Sequence, residues 1–348
     1  MAQDKVWECR DCGSDNIIPV ELATQDKTSR IKIIREVALD FSDVLIVPQQ
    51  SFLTSRSEVN LIRKFEFLYS PRTISCTPIV AANMLSVCNS KVARKMVERN
   101  MLACLPKTLD YNEFCEDEYI IQSVGLYDEP HPNAVWICLD VPTAYLDVVV
   151  TRTEELRETR PDSILIVGNV VTKPGVEKLI QAGADVVKIG IGSGSACSTR
   201  LISGVGYPQL SAIKECSEAA NNLGGMIMSD GGCQVPGDIA KSLVFADFVM
   251  LGGMLAGHGP DNGTGFYGMS SERANNEFAG GLKGYRTSEG WEMKLKDKGP
   301  IENTLQDILG GLRSACTYVG ASSIEELQQA TFIRVNNQAN TSLWEHRV

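Results

Sequence analysis

One cysteine in the sequence has the surroundings that a nucleophile needs. Cys197 lies in the glycine- and serine-rich segment 188–200, which begins within an apolar run, and Arg200 follows shortly after it. A nearby cation favours the thiolate, which is the nucleophilic form of cysteine. Other cysteines, such as Cys104 and Cys138, lie in apolar runs, as reduced core cysteines do. We therefore predict a catalytic role for Cys197, against the alternative of a small residue that fills a turn.

Glycine-rich turns predict a phosphate site beside this cysteine. Glycines recur between residues 190 and 194, and two further turns contain Asp230-Gly231-Gly232 and Gly252-Gly253. Because glycine has no side chain, the backbone N–H groups of such turns can approach an anion closely. The Asp230 carboxylate can accept hydrogen bonds from ribose hydroxyls. Together these features predict a nucleoside monophosphate, although one glycine pair alone is more typical of a plain turn.

The elements that would position these residues are short apolar runs with helical or turn-rich segments between them. Eight runs begin at Pro78, Met101, Tyr119, Val135, Ile164, Val186, Met226 and Phe248. Helical patterns between them include 91–99, 175–182, 209–222 and 237–243. This alternation predicts an α/β fold, a (β/α)₈ TIM barrel, in which the carboxyl ends of the strands converge on one mouth. Polar or glycine residues follow nearly every run, so we expect the site there.

Two regions lie outside the barrel units. We predict that residues 1–30 form an N-terminal extension, and that residues 31–348 form a single barrel domain whose glycine-rich flap spans about 259–300. The extension contains Cys9 and Cys12 in a Cys-x-x-Cys pattern. This is half of a zinc ribbon, but no second pair lies nearby in the sequence, so a disordered or redox-labile segment is the preferred interpretation.

Composition excludes several classes of function. The 348 residues include 43 acidic and 33 basic side chains, giving a net charge of −10, which argues against nucleic acid as a partner. There is no signal-like start and no apolar stretch of membrane-spanning length, so we expect a soluble, cytoplasmic protein with no membrane partner. Three histidines leave little material for a His-rich metal site or a Ser-His-Asp triad.

Longer motifs resemble one enzyme family. Gly190–Arg200, Ser229–Cys233 and Leu251–His258 closely resemble the IMP dehydrogenase and GMP reductase family. Within it, Phe266–Glu272 and Tyr285–Gly290, with the segments 307–321 and 331–335, resemble the GMP reductase branch. The resemblance runs from about Leu39 to Val335. It implies an NADPH-dependent oxidoreductase of purine nucleotide metabolism that converts GMP to IMP and ammonia through a covalent cysteine thioimidate.

The resemblance also implies roles for individual residues. The catalytic group would be Cys197, Thr199 and Glu289. Substrate would contact Ser195, Asp230, Gly232, Gly252, Gly253, Tyr267, Met269, Ser270, Arg286 and Gly290. Lys107 and Asp140 would lie near the cofactor, where a lysine suits the extra phosphate of NADPH. Backbone carbonyls of Gly192, Gly194 and Cys197 match a loop that can bind a monovalent cation such as potassium, and a homotetramer is the expected assembly.

Two other functions stay open at this point. An IMP dehydrogenase would oxidise IMP to XMP, but its mobile flap carries an Arg-Tyr pair that is absent between Gly259 and Gly299. A non-catalytic nucleotide-binding barrel is suggested by Leu85, where the family usually has Asp, and by Pro142-Thr143, where Asn-Gly is usual. The joint presence of the nucleophile and its proton-handling pair argues against that second alternative.

Overall fold

The computed structural model describes residues 37–115, 117–278 and 280–335. The predicted extension, residues 1–30, with Cys9 and Cys12, lies outside these residues, so its boundary and chemistry stay predictions.

A closed barrel of parallel strands forms the centre of the described chain. The strands, in chain order, are β1 (Val44–Ile46), β2 (Arg63–Glu66), β3 (Thr73–Ala81), β4 (Met101–Leu105), β5 (Ile120–Val124), β6 (Trp136–Asp140), β7 (Ile164–Val170), β8 (Val186–Ile189), β9 (Met226–Asp230), β10 (Phe248–Leu251), β11 (Gly265–Tyr267), β12 (Glu292–Lys294) and β13 (Phe332–Arg334). Strands β3 to β10 pair in order, and β10 pairs with β3 through Ile79 and Val249. All eight runs chosen from the sequence are barrel strands, which confirms the predicted TIM barrel.

Helices occur between and after the strands, and most of them pack around the barrel. They are α1 (Ser90–Val97), α2 (Asp147–Thr159), α3 (Lys173–Gln181), α4 (Thr199–Ile202), α5 (Gln209–Leu223), α6 (Pro236–Leu243), α7 (Glu272–Phe278), α8 (Ile301–Val319) and α9 (Ile324–Leu327). Local signals set several ends: the Asn89 side chain accepts from the backbone N–H groups of Lys91 and Val92 in the first turn of α1, and Gly224 ends α5 at a φ of 75°.

Aromatic residues fill the end of the barrel where the strands begin. Phe65 of the β2–β3 hairpin stacks on Phe248, with ring centroids 4.3 Å apart, and Trp136 packs edge-on against the same ring. Phe248 and Trp136 are the first residues of β10 and β6. The hairpin therefore closes this end of the barrel, which we call the aromatic floor. The opposite end of the barrel is the mouth.

A buried carboxylate holds the loops below the barrel. Asp185 precedes β8, is fully buried, and accepts hydrogen bonds from the backbone N–H groups of Tyr69, Ser70 and Leu165. The same carboxylate also forms an ion pair with the Arg157 guanidinium, 2.5 Å away. Buried charges persist where such partners replace water.

The predicted flap forms a separate ribbon at the mouth. Strands β11 and β12 pair antiparallel, and the ribbon is fastened at its base where Leu295 N–H donates to the Thr264 carbonyl. Within the described ranges, no helix is long and apolar enough to cross a membrane.

Candidate active site

A cavity of about 220 Å³ opens at the carboxyl ends of the strands. It is lined by Ala82, Asn83, Met84, Asp140, Lys188, Gly194, Ser195, Ala196, Cys197, Thr199, Asp230, Gly231, Gly232, Cys233, Met250, Gly252, Gly253, Phe266, Gly268, Met269, Ser270 and Glu289. These residues come from the carboxyl-terminal parts of β6, β8, β9 and β10, from the loops after β3, β8, β9 and β10, and from the flap. The mouth therefore gathers most of the predicted site residues, as the barrel geometry requires.

Three side chains form a hydrogen-bonded line along one wall. The Cys197 thiol donates to the Thr199 hydroxyl over 3.2 Å, and that hydroxyl donates to the Glu289 carboxylate over 2.8 Å. A hydroxyl can accept and donate at once, so threonine can pass a proton between the two groups. This arrangement can move the proton of the cysteine thiol to the carboxylate without a water molecule.

The flap and the cysteine loop are joined by backbone hydrogen bonds. Ser198 N–H donates to the Glu289 carbonyl over 3.0 Å, and Trp291 N–H donates to the Ala196 carbonyl over 2.9 Å. Cys197 and Gly290 face each other as an isolated antiparallel bridge. Glu289 comes from a distant part of the sequence, and this pairing is what places it beside Thr199.

The predicted phosphate-binding turns lie together. Ser195, Gly232, Gly252 and Gly253 all line the cavity. A Cβ atom on Gly253 would lie 2.4 Å from the Ser195 hydroxyl, closer than real contacts allow. A side chain at position 253 would therefore displace the serine. This steric conflict explains why the position is a glycine.

A charged network crosses the floor of the cavity. The Lys188 ammonium lies 2.7 Å from the Asp140 carboxylate and 3.0 Å from the Asp230 carboxylate. The Asn83 and Asn169 amides donate to Asp140 and Asp230 over 3.0 and 2.9 Å. Burial raises the pKa of Asp140, but the Lys188 charge and the other polar partners outweigh burial and lower that pKa to about 2.

Five predicted residues lie outside the lining. Lys107 donates to the Asp140 backbone carbonyl over 2.8 Å, and the Tyr267 hydroxyl lies 3.4 Å from a Glu277 carboxylate oxygen. Arg286 is exposed on the flap. Gly290 pairs with Cys197, and Gly192 has a φ of 78° beside the Arg200 side chain. Their predicted roles therefore stay predictions.

The two departures from the family pattern also lie outside the lining. Leu85 is in a half-buried turn after β3, and Pro142-Thr143 follows β6, but neither contributes to the cavity wall. These two departures suggested a barrel that binds a nucleotide without catalysis. Neither of them changes a residue that forms the cavity wall.

One functional candidate escaped the sequence prediction. Lys188 stands within the apolar run that forms β8, and its side chain is 3% exposed. A lysine in the middle of a buried strand was the available signal, because such a charge needs partners. Among the described residues, no cluster of three or more His, Cys, Asp or Glu side chains is placed to hold a metal ion.

Comparison with known proteins places the chain in a family. A family model described as IMP dehydrogenase / GMP reductase domain matches residues 132–346. A protein named GMP reductase from Enterobacter sp. (strain 638) is 46% identical over 341 residues, which covers 89% of this chain and 98% of the relative. Proteins of the same name from Salmonella paratyphi C and Klebsiella pneumoniae subsp. pneumoniae are 45% identical, with the same coverage. The chain therefore belongs to the IMP dehydrogenase and GMP reductase family.

Proposed function

We propose that this protein catalyses the NADPH-dependent reductive deamination of GMP to IMP and ammonia. The observation that carries the proposal is the hydrogen-bonded line of Cys197, Thr199 and Glu289 on the wall of the cavity. The name shared by the similar proteins, GMP reductase, supports the same reaction.

The first half of the reaction exchanges the amine for sulfur. The Cys197 thiol gives its proton through Thr199 to Glu289, and the resulting thiolate attacks C2 of the purine. The bond between C2 and the exocyclic amine nitrogen then breaks. The same proton returns through Thr199 to this amine, which leaves as ammonia. An amine leaves poorly unless an acid within hydrogen-bond reach protonates it. The product of this half is a thioimidate between Cys197 and the nucleotide.

The second half replaces sulfur by hydrogen. NADPH, when bound, supplies a hydride to C2. The C2–S bond breaks, IMP is released, and the Cys197 thiolate recovers a proton from solvent. Two features near the carboxyl end of β6 fit the reductant. The Asp140 carboxylate is an acceptor for an amide N–H, and the Lys107 ammonium beside it suits a phosphate.

The remaining roles are those that the family resemblance implies, and the position of several of these residues in the cavity wall supports them. Ser195, Gly232, Gly252 and Gly253 would hold the phosphate, Asp230 the ribose, and Met269 with Ser270 the base. Gly290, Tyr267 and Arg286 would reach the nucleotide from the flap. A monovalent cation would sit on the carbonyls of Gly192, Gly194 and Cys197, and a cytoplasmic homotetramer is the proposed state of the enzyme.

Substitution of the nucleophile tests the proposal. We expect Cys197→Ala to bind GMP with nearly native affinity but to show no GMP-dependent NADPH oxidation and no ammonia release, because no bond to C2 can form. Cys233→Ala is the matched control, since it removes a second thiol from the same cavity. Burial raises the pKa of the Cys233 thiol well above its usual range, so this variant should remain active.

Two results would contradict the proposed reaction. One is an unmodified protein that leaves NADPH unchanged with GMP but makes XMP from IMP and NAD⁺. The other is tight GMP binding, measured by calorimetry, without ammonia release under any condition that keeps the protein folded.

A further inference from the structure

Lys188 is a buried cation at the centre of the cavity floor. Its side chain is 3% exposed, yet its ammonium reaches the cavity and touches both Asp140 and Asp230. Asp140 ends β6 and Asp230 ends β9, on either side of β8. One ammonium therefore joins two carboxylates that belong to different parts of the proposed site.

The backbone around Lys188 leaves little freedom for another arrangement. Gly168 of β7 pairs with Lys188, and a Cβ atom on Gly168 would lie 2.5 Å from the Lys188 Cβ. The register of β7 and β8 shifts directly after this pair, at Asn169. Such an irregularity redirects a side chain, and here the Asn169 amide meets Asp230.

The contacts leave one oxygen of Asp230 available to a ligand. Lys188 and Asn169 both donate to Oδ2 of Asp230, and the described residues make no hydrogen bond to its Oδ1. On the other side, Asp140 accepts from Lys188 at Oδ1 and from Asn83 at Oδ2. Both carboxylates are thus oriented by an amide and by the shared ammonium.

Two carboxylates that face Lys188, Asp140 and Asp230, favour its ionised form. The other titratable groups nearby are the Cys138 and Cys104 thiols of β6 and β4 and, beyond Asp140, the Lys107 ammonium, which is a like charge. Burial lowers the pKa of Lys188, but the two carboxylates outweigh burial and raise that pKa well above the usual range.

We propose that Lys188 is a positioning residue that holds Asp230 for the ribose and Asp140 for the reductant, and so ties the two halves of the site together. This inference rests on the proposed function. It assigns no bond-making step to Lys188, which acts through the two carboxylates that it orients.

Loss of the ammonium has a defined chemical consequence. Two neighbouring carboxylates that share no cation repel each other, so one of them holds its proton to a higher pH. Asp140, whose pKa the Lys188 charge lowers, is the carboxylate that loses this support, and Asp230 loses one of its two donors and no longer presents a fixed acceptor to a ribose hydroxyl. Binding of both GMP and NADPH should therefore suffer together.

Lys188→Met and Lys188→Arg separate this role from packing. We expect Lys188→Met to raise the KM values for GMP and for NADPH by at least about 10-fold each, and to move the acidic limb of the kcat/KM profile upward by about one pH unit or more. Lys188→Arg keeps the charge and two donors, so it should restore the acidic limb. Lys241→Met is the matched control. Lys241 is a buried lysine that pairs with Asp238 and the Phe41 carbonyl and does not line the cavity or contact Asp140 or Asp230, so its loss should leave the profile unchanged.

Definite results would overturn the proposal. They are a Lys188→Met enzyme with a native acidic limb, a Lys188→Met enzyme in which only one of the two KM values changes, or a Lys188→Arg enzyme no better than Lys188→Met. If Lys188→Met does not fold, the double variant with Asp140→Asn removes one uncompensated carboxylate. Its KM for GMP should still exceed that of Asp140→Asn by about 10-fold, and equality would refute the role at Asp230.

Failure of the Lys188 proposal can be distinguished from failure of the proposed reaction. If the native protein does not oxidise NADPH with GMP, the proposed reaction is wrong. Lys188 is then judged by calorimetric titration of GMP at several pH values. Weaker binding to Lys188→Met with an upward shift of the acidic limb, restored by arginine, supports the positioning role, and identical binding curves refute it.

Discussion

At the residue scale, the reaction depends on a hydroxyl with two partners. Thr199 is the first residue of α4, and its side chain connects the thiol of Cys197 to the carboxylate of Glu289. The cysteine and the glutamate are connected only through this threonine in the line. In the proposed reaction, the threonine is therefore the group through which the thiol proton reaches the leaving amine.

Glu289→Gln tests this proton route. The amide keeps the size of the side chain but cannot take up and return a proton, so we expect kcat to fall by roughly 10²- to 10⁴-fold with little change in the KM for GMP. Thr199→Val, which removes the hydroxyl, should lower kcat to a similar degree. Steady-state NADPH oxidation measures both.

The control is a second carboxylate of the flap. Glu292 lies 2.8 Å from the Arg273 guanidinium on the exposed face of the ribbon, so Glu292→Gln should retain nearly native kcat. A Glu289→Gln enzyme as active as Glu292→Gln would show that the proton travels by another route.

At the element scale, the strands depend on anchors beneath the barrel. Asp185 fastens the start of β8 to the loop before β3 and to the start of β7. The amide of Asp185→Asn cannot balance the Arg157 charge, which is 15% exposed. Breaking a buried ion pair in this way costs about 3–5 kcal/mol of stability.

Urea unfolding of Asp185→Asn should therefore show a clearly lower midpoint than the native protein. The matched control is Asp147→Asn, because Asp147 makes an ion pair with Lys178 of the same 2.5 Å length but is 93% exposed. Solvent screens that pair, so its loss should leave the midpoint in place. Equal midpoints for the two variants would show that burial of Asp185 does not matter to stability.

At the scale of the whole molecule, the barrel separates stability from chemistry. The aromatic floor lies where the strands begin, and the cavity lies where they end. Phe65 is 1% exposed, and Phe65→Ala would leave a cavity in the floor. Truncation of a buried phenylalanine costs about 3–5 kcal/mol.

We expect Phe65→Ala to lower the melting temperature while kcat for GMP stays native below the transition. Calorimetry and the NADPH assay measure the two effects separately. Phe52→Ala is the control, because Phe52 is 86% exposed and its truncation should change neither quantity. A loss of kcat in Phe65→Ala at low temperature would mean that the floor also shapes the mouth.

The sequence by itself determined the barrel and singled out the candidate nucleophile. Short apolar runs with helical segments between them are local patterns, and each of the eight became a barrel strand. Cys197 was recognisable because its loop differs from the apolar surroundings of most other cysteines, and the glycine turns after β8, β9 and β10 were visible for the same local reason.

Only the tertiary structure decided which distant groups meet. Glu289 looks like a surface acid in the sequence, and it reaches Thr199 only because the flap pairs with the cysteine loop. Lys188 looks like an interruption of an apolar run, and its meaning appears only when barrel closure brings Asp140 and Asp230 to either side of it. Local patterns specify strands and turns, but contacts between the ends of different strands depend on how the chain closes on itself.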